Sequence, residues 1–238
     1  MPVAMISHFA MQHKADAPYV HLLREAGFEV TFPEDPEFSR GRGEEETIRV
    51  LGGASAVIAG LDNMTRRVIE SLPKLRVIAR GGVGFDRVDV EAATRQHVAV
   101  TITPESIQEA VAEHTLALLL AVSRHIPLQD RVVRSGAWEV PMSRSLRGAT
   151  LGLFGLGRIG RSAALRAKAF RMTLIAFDPY ADAAFACDHG IKLVNFNDLL
   201  ERSDFISLHS PLTDQTRRLL DRRAFDRMKA GSVLINTA

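Results

Sequence analysis

At 238 residues the chain is long for one domain and comfortable for two. Hydrophobic residues at 46% and charged residues at 24% exclude disordered, collagen-like and disulfide-dense classes. Lys and Arg number 30 against 28 Asp and Glu, so the net charge of +2 is too small for a nucleic-acid-binding face, and no nucleic-acid partner is expected. The single cysteine, Cys187, has no disulfide partner and no second thiol at metal-ligand spacing, which points to a reducing, cytoplasmic setting without a bound metal. The opening MPVAMISHFA has no charged-then-apolar leader pattern, and the most apolar later run, 112–122, is too short to cross a bilayer. Neither export nor membrane insertion is expected.

Taken in chain order, Val3–Ile6, 28–31, Ala56–Ala59, 75–79 and 98–102 are short apolar runs, with helical patterns at 17–26 and Glu44–Leu51. Such alternation predicts parallel βαβ units. Gly27, Gly60 and Gly81-Gly82 stand where helices or strands should stop. Thr103-Pro104 ends this block, because the residue before a proline is pushed out of the helical region. Ser106 then caps a predicted helix at 106–123, with Glu109 three residues later in capping-box position. That helix carries Ile107, Val111, Leu116, Leu118, Leu119, Leu120 and Val122, apolar nearly all round, and is expected to be buried between layers, domains or subunits. From Thr150 the alternation restarts with strands at 151–154, Thr173–Phe177, 192–194, Phe205–Leu208 and Val233–Asn236. Helices ending near 170 and at 182–189 and 198–202 separate them, giving a second doubly wound sheet.

Gly155-Leu156-Gly157-Arg158-Ile159-Gly160 directly follows the strand 151–154 and opens the next helix, the context a dinucleotide fingerprint requires. Gly155 permits a tight turn, Gly157 lets the backbone approach a pyrophosphate, and Gly160 lets helix and strand pack closely. The helix N-terminus offers its unpaired N–H groups to the anion, and Arg158 adds a charged donor. A glycine-rich turn also exists without a ligand, and Asp178 with Pro179 also reads as a plain Asp-Pro turn. Their coincidence favours a cofactor, since Asp178 ends the second strand close to the spacing of about 20 residues expected for a ribose-binding acid. An acid there favours NAD, because a 2′-phosphate would meet like charge. Arg80 through Asp86, just past the strand 75–79, holds Gly81, Gly82 and Gly84, a backbone nest suited to a carboxylate or, taken alone, a simple turn. His114 stands beside Glu113, but adjacent helix residues do not face each other, and a packed histidine is expected. His209 ends a strand at the cofactor face and is read as lining the site, not as catalytic.

The segments 80–89 (RGGVGFDRVD), 111–116 (VAEHTL), 136–138 (GAW), 155–160 (GLGRIG), 178–180 (DPY), 208–213 (LHSPLT) and 236–238 (NTA) follow one another in an order that resembles the D-isomer-specific 2-hydroxyacid dehydrogenases. The resemblance implies an α/β protein of two doubly wound parallel-sheet domains hinged around a cleft. One is a flavodoxin-like substrate domain at 1–101; the other is a Rossmann NAD domain at 102–238, incomplete at its C-terminal strands. It further implies that Gly155, Gly157 and Gly160 belong to the cofactor site, that Arg158 and Ile159 meet the pyrophosphate, and that Asp178 meets the ribose. Ser210, Pro211 and Thr216 would line the adenine side, and Thr237 and Ala238 would lie beside the nicotinamide. Val83 and Gly84, with Gly82, would hold the substrate carboxylate by backbone N–H groups, and the region 106–138 would form a homodimer contact. The implied activity is hydride transfer between a D-2-hydroxy acid, 3-phosphoglycerate being the family's best-known one, and NAD. In the family the proton is moved by a histidine oriented by a glutamate, with an arginine directly after the Asn-Thr-Ala run. All three positions fall after Ala238, so no catalytic residue is assigned within the chain. The 238-residue chain is accordingly expected to be inactive and to expose the apolar edge 232–236. The alternative is a non-catalytic NAD-binding or partner-binding homologue that keeps the fingerprint and the dimer helix.

Overall fold

A computed structural model describes residues 1–11, 14–35, 38 and 42–238. The chain divides into two compact units, Met1–Ser106 and Ile107–Ala238.

In the first unit the elements run β1 (Val3–Ile6), α1 (Pro18–Glu25), β2 (Glu29–Thr31), α2 (Glu44–Leu51), β3 (Ala56–Ala59), α3 (Arg66–Glu70), β4 (Val77–Arg80), α4 (Val90–Arg95) and β5 (Ala99–Thr101). Among the described residues the strands form one five-stranded parallel sheet in the order β2-β1-β3-β4-β5, the flavodoxin-like winding. Local chemistry starts the helices: Pro18 opens α1, three glutamates fill the first turn of α2, and Thr65 and Asp89 cap α3 and α4 by accepting the Val68 and Ala92 N–H groups. Leu51, Val57, Met64, Ile69, Leu75 and Ile78 fill the core. The strand expected at 75–79 begins two residues later. Leu75 is still in a turn, its N–H bonded to Leu72 O at 3.0 Å, and it is apolar because it packs into the core and not because it lies in the sheet.

The second unit runs α5 (Gln108–Ser123), α6 (Ile126–Arg134), β6 (Thr150–Phe154), α7 (Arg158–Ala169), β7 (Thr173–Phe177), α8 (Ala183–Asp188), β8 (Lys192–Leu193), α9 (Phe196–Arg202), β9 (Phe205–Leu208), α10 (Arg222–Arg227) and β10 (Val233–Asn236). Its described strands form a second five-stranded parallel sheet, β8-β7-β6-β9-β10, the dinucleotide-domain winding with β6 at the centre. Leu119, Leu151, Leu153, Leu156 and Phe205 are fully buried in its core.

One expectation for α5 is corrected. Ser106 does not cap it: the Ser106 hydroxyl donates back to Thr103 O at 3.1 Å, and the helix starts at Gln108 with Ile107 at the cap position. Glu109 instead accepts hydrogen bonds from Ser162 Oγ at 2.9 Å and Arg166 Nη2 at 2.6 Å on α7. Within the single chain the helix is buried along one side. Ala112, Thr115, Leu116, Leu119 and Ser123 are buried and the helix packs on α7, while Ile107, His114 and Val122 are exposed. No helix among the described residues is long and apolar enough to cross a membrane, and no described group of His, Cys, Asp and Glu is placed to hold a metal ion.

Candidate functional site

The chain leaves the central strand β6 through Gly155, whose φ of +98° places it in the region only glycine enters freely. A Cβ there would also stand 2.8 Å from His209 C and 2.9 Å from Ser210 N, so glycine is required twice over. Gly155 N donates to Phe177 O at 2.9 Å, stitching the turn to the end of β7. Gly160, in the first turn of α7, would bring a Cβ within 2.2 Å of Gly155 O. Gly157 differs: it is exposed, it caps α7, and a Cβ added to it meets nothing within 4 Å. Two glycines thus close the loop onto itself, and the third leaves the outer side of the helix N-terminus open. The N–H groups of Ile159 and Gly160 have no hydrogen-bond partner among the described residues, as expected at a helix start, and with the helix dipole they suit an anion. Arg158 is exposed at the first helical position.

Asp178 follows β7. Its Oδ2 accepts the Leu156 N–H at 2.8 Å and its Oδ1 accepts the Tyr180 N–H at 2.8 Å. The carboxylate is therefore held in one orientation and also fastens the glycine loop, a second role that sequence spacing does not reveal. Each carboxylate oxygen retains acceptor capacity, so a diol can still be bound.

At the end of β9, His209 N donates to Phe154 O at 2.8 Å and its Nε2 shares a hydrogen bond with the buried Ser207 Oγ at 2.9 Å. Burial pushes the imidazole down from near 6.5 to about 4, so it is neutral. His209 backs the glycine loop as a support. Ser210 is half-buried and Pro211 exposed. Thr216 Oγ1 donates to Pro211 O at 2.7 Å and accepts Thr213 N–H at 2.8 Å, so its hydroxyl shapes the loop that carries Pro211. After β10, Thr237 Oγ1 lies 3.0 Å from Thr115 Oγ1. Thr115 gives its own proton to Val111 O at 2.9 Å, which makes Thr237 the donor and ties the strand end to α5. Ala238 N donates to Asn236 Oδ1 at 3.0 Å. A recess beside these residues is lined by Ile107, Ala110, Val111, His114, Asn236 and Thr237. His114 is thus not the packed histidine expected; it is exposed and opens onto this recess. Gly155, Gly157, Asp178, His209 and Thr237 all stand at the carboxyl ends of one parallel sheet, where doubly wound folds bind ligands.

In the first unit, Gly82, Val83 and Gly84 follow β4. Gly82 is buried at φ +155° and its carbonyl accepts Thr103 N–H at 3.0 Å. Gly81 lies against His8, where a Cβ would stand 2.5 Å from His8 Cδ2. The N–H groups of Val83 and Gly84 have no hydrogen-bond partner among the described residues, which leaves two adjacent donors available to a carboxylate.

A doubly wound sheet with a glycine fingerprint and an acid after its second strand defines a dinucleotide-binding protein. Residues 116–238 match the family model described as "D-isomer specific 2-hydroxyacid dehydrogenase, NAD binding domain". A D-3-phosphoglycerate dehydrogenase of Methanocaldococcus jannaschii is 40% identical over 85% of this chain and 39% of its own length. A glyoxylate reductase of Korarchaeum cryptofilum is 40% identical over 74% of this chain and 55% of its own. Among solved structures, a D-lactate dehydrogenase from Aquifex aeolicus complexed with NAD and lactic acid matches with a TM-score of 0.83 at 26% identity, over 99% of this chain and 68% of that one. The chain belongs to the D-isomer-specific 2-hydroxyacid dehydrogenase family, and residues 116–238 are its NAD-binding domain. It spans about two fifths of the length of the phosphoglycerate dehydrogenase it matches.

Proposed function

We propose that this chain carries the cofactor site and the substrate-carboxylate site of an oxidoreductase that moves a hydride between C2 of a D-2-hydroxy acid and NAD. The observation that carries the reading is the arrangement of Gly155, Gly157 and Gly160 with Asp178, closed on the protein side and open at the start of α7. These residues fit NAD. The Ile159 and Gly160 N–H groups and Arg158 would hold the pyrophosphate, and Asp178 would accept the ribose hydroxyls. Ser210, Pro211 and Thr216 would line the adenine side, with Thr237 and Ala238 beside the nicotinamide. When bound, the nicotinamide gives or takes the hydride. Val83 and Gly84, on the turn shaped by Gly82, would hold the substrate carboxylate through backbone N–H groups.

The same reading includes a homodimer formed through 106–138 and a cytoplasmic location. Val122, Ile126, Val133 and Trp138 are exposed apolar side chains along α5, α6 and the segment after them, a clustering that marks contact surfaces. The single exposed thiol of Cys187 suits a reducing compartment.

Two measurements test the assignment. In a fluorescence titration NADH should bind more tightly than NADPH, and Asp178→Ala should narrow the gap by about 1–3 kcal/mol; equal affinities in the unmodified protein would remove Asp178 from the ribose. Gly84→Val should weaken binding of a short 2-hydroxy acid roughly tenfold or more while NADH affinity holds, since it changes the shape of the carboxylate turn in the other unit. Undiminished hydroxy-acid binding by that variant would move the carboxylate elsewhere.

A further inference from the structure

The three central strands of the first sheet, β1, β3 and β4, end side by side. Their carboxyl ends bring together Ser7 and His8, Gly60 and Asp62, and Arg80 and Gly81. Arg80 is in register with Ala59, and Gly81 N donates to Ala59 O at 3.0 Å, so the turn carrying Asp62 and the turn carrying Gly82–Gly84 leave neighbouring strands at the same level. Asp62 is a carboxylate only 4% exposed. Its Oδ2 accepts Ser7 Oγ at 2.8 Å and Gly60 N–H at 2.7 Å, tying two strand ends together, but its Oδ1 is buried and has no hydrogen-bond partner among the described residues. Arg80 shows the complementary defect: its Nε is buried without a partner among the described residues. Its Nη1 makes one long bond, 3.3 Å to Gly81 O, and rests against Gly82. Enclosure lowers the Arg80 pKa from its ordinary value, with Asp86 and Asp62 opposing that shift. His8 is already spent, its Nδ1 accepting Ala10 N–H at 3.2 Å and its Nε2 donating to Gly81 O at 3.1 Å.

Buried polar atoms left unpaired are rare in folded proteins and ask for a partner. Here an acceptor and a donor are left over beside the Val83–Gly84 turn. We propose that Asp62 and Arg80 form a specificity subsite for a hydroxyl group on the tail of the 2-hydroxy acid, donating to Asp62 Oδ1 and accepting from Arg80 Nε. This rests on the reading that Val83 and Gly84 hold the substrate carboxylate. A hydroxyl satisfies both atoms and brings no charge into a region where guanidinium and carboxylate already balance. A phosphate would accept from Arg80 but set its negative charge against Asp62, and it has no proton to give Oδ1 when fully ionised. The substrate class is therefore the hydroxylated, unphosphorylated D-2-hydroxy acids, such as short sugar acids.

Calorimetric titration of the full chain with NADH present would compare D-2-hydroxybutyrate, D-erythronate and D-3-phosphoglycerate. D-erythronate, the same length as D-2-hydroxybutyrate but hydroxylated, should bind roughly tenfold tighter. D-3-phosphoglycerate should bind no tighter than D-2-hydroxybutyrate. Asp62→Asn turns the free acceptor into a donor and should bring the erythronate-to-hydroxybutyrate ratio near one; Arg80→Met should do the same, and NADH affinity reports that each variant is folded. Equal binding of the two four-carbon acids by the unmodified chain, a ratio that survives both substitutions, or tighter binding of the phosphorylated acid would overturn the subsite while leaving the carboxylate turn intact. Failure of all three acids to bind would overturn the carboxylate reading and the subsite with it.

Discussion

Gly160→Ala should lower the stability of the protein by about 3 kcal/mol and abolish detectable NADH binding. The added methyl would sit 2.2 Å from Gly155 O and 3.1 Å from Gly155 C, and both are backbone atoms that no rotamer change can move. Relief requires α7 to lift from the loop. That movement strains the Gly155 turn, itself held by Phe177 O and packed on His209, and displaces the N–H groups offered to the pyrophosphate. Gly157→Ala should give the opposite pattern. Its φ of −72° is ordinary and its Cβ would meet nothing, so stability should change by only about 0.5 kcal/mol. NADH affinity should still fall, because that open side is where a pyrophosphate approaches the backbone. Denaturant melts paired with NADH titration separate the two effects. Unchanged NADH binding by Gly157→Ala would mean that the loop does not face the cofactor.

The elements around this loop were legible because a strand buried on both faces reads as an unbroken apolar run, and Gly155 marks its end. Thr173–Phe177, Phe205–Leu208 and Val233–Asn236 fall where the pattern puts them. The short helices α3, α4 and α10 escape a reading by periodicity, since five or six residues complete fewer than two turns. Their caps, Thr65, Asp89 and Asp221, were the available signal. α6 was missed for another reason: it begins after His125, which adopts the left-handed conformation without being glycine, so no glycine marks the break from α5 and Pro127 in the first turn of α6 was the one available signal. Ser106 misled because its hydroxyl had a competing acceptor in Thr103 O. Links that act through space stayed invisible. Thr115 meets Thr237 across 122 positions and Ser7 meets Asp62 across 55, and neither pair carries a spacing rule.

Acid should destabilise the protein through His209. In the folded state burial holds this imidazole at about 4, whereas in the unfolded chain it titrates near 6.5. Between those values the unfolded state binds the proton and the folded state does not, so stability falls as the pH drops. Its contribution is complete above about pH 6.5 and declines by up to about 1.4 kcal/mol for each unit below it. The loss ends near pH 4 at about 3 kcal/mol in all. Asp204 does not mimic this window. Its carboxyl, for which burial is outweighed by the Thr150 N–H and Lys229, is held below its ordinary value and loses its contribution only at lower pH. The clean measurement is the stability difference between the unmodified protein and His209→Gln, which keeps a polar group near Ser207 but does not titrate. That difference should shift against the unmodified protein by roughly 2–3 kcal/mol between about pH 7.5 and about pH 4.5. A flat difference would mean that His209 is solvated in the folded protein, and that the strand end behind Gly155 is open to water and not packed against the loop.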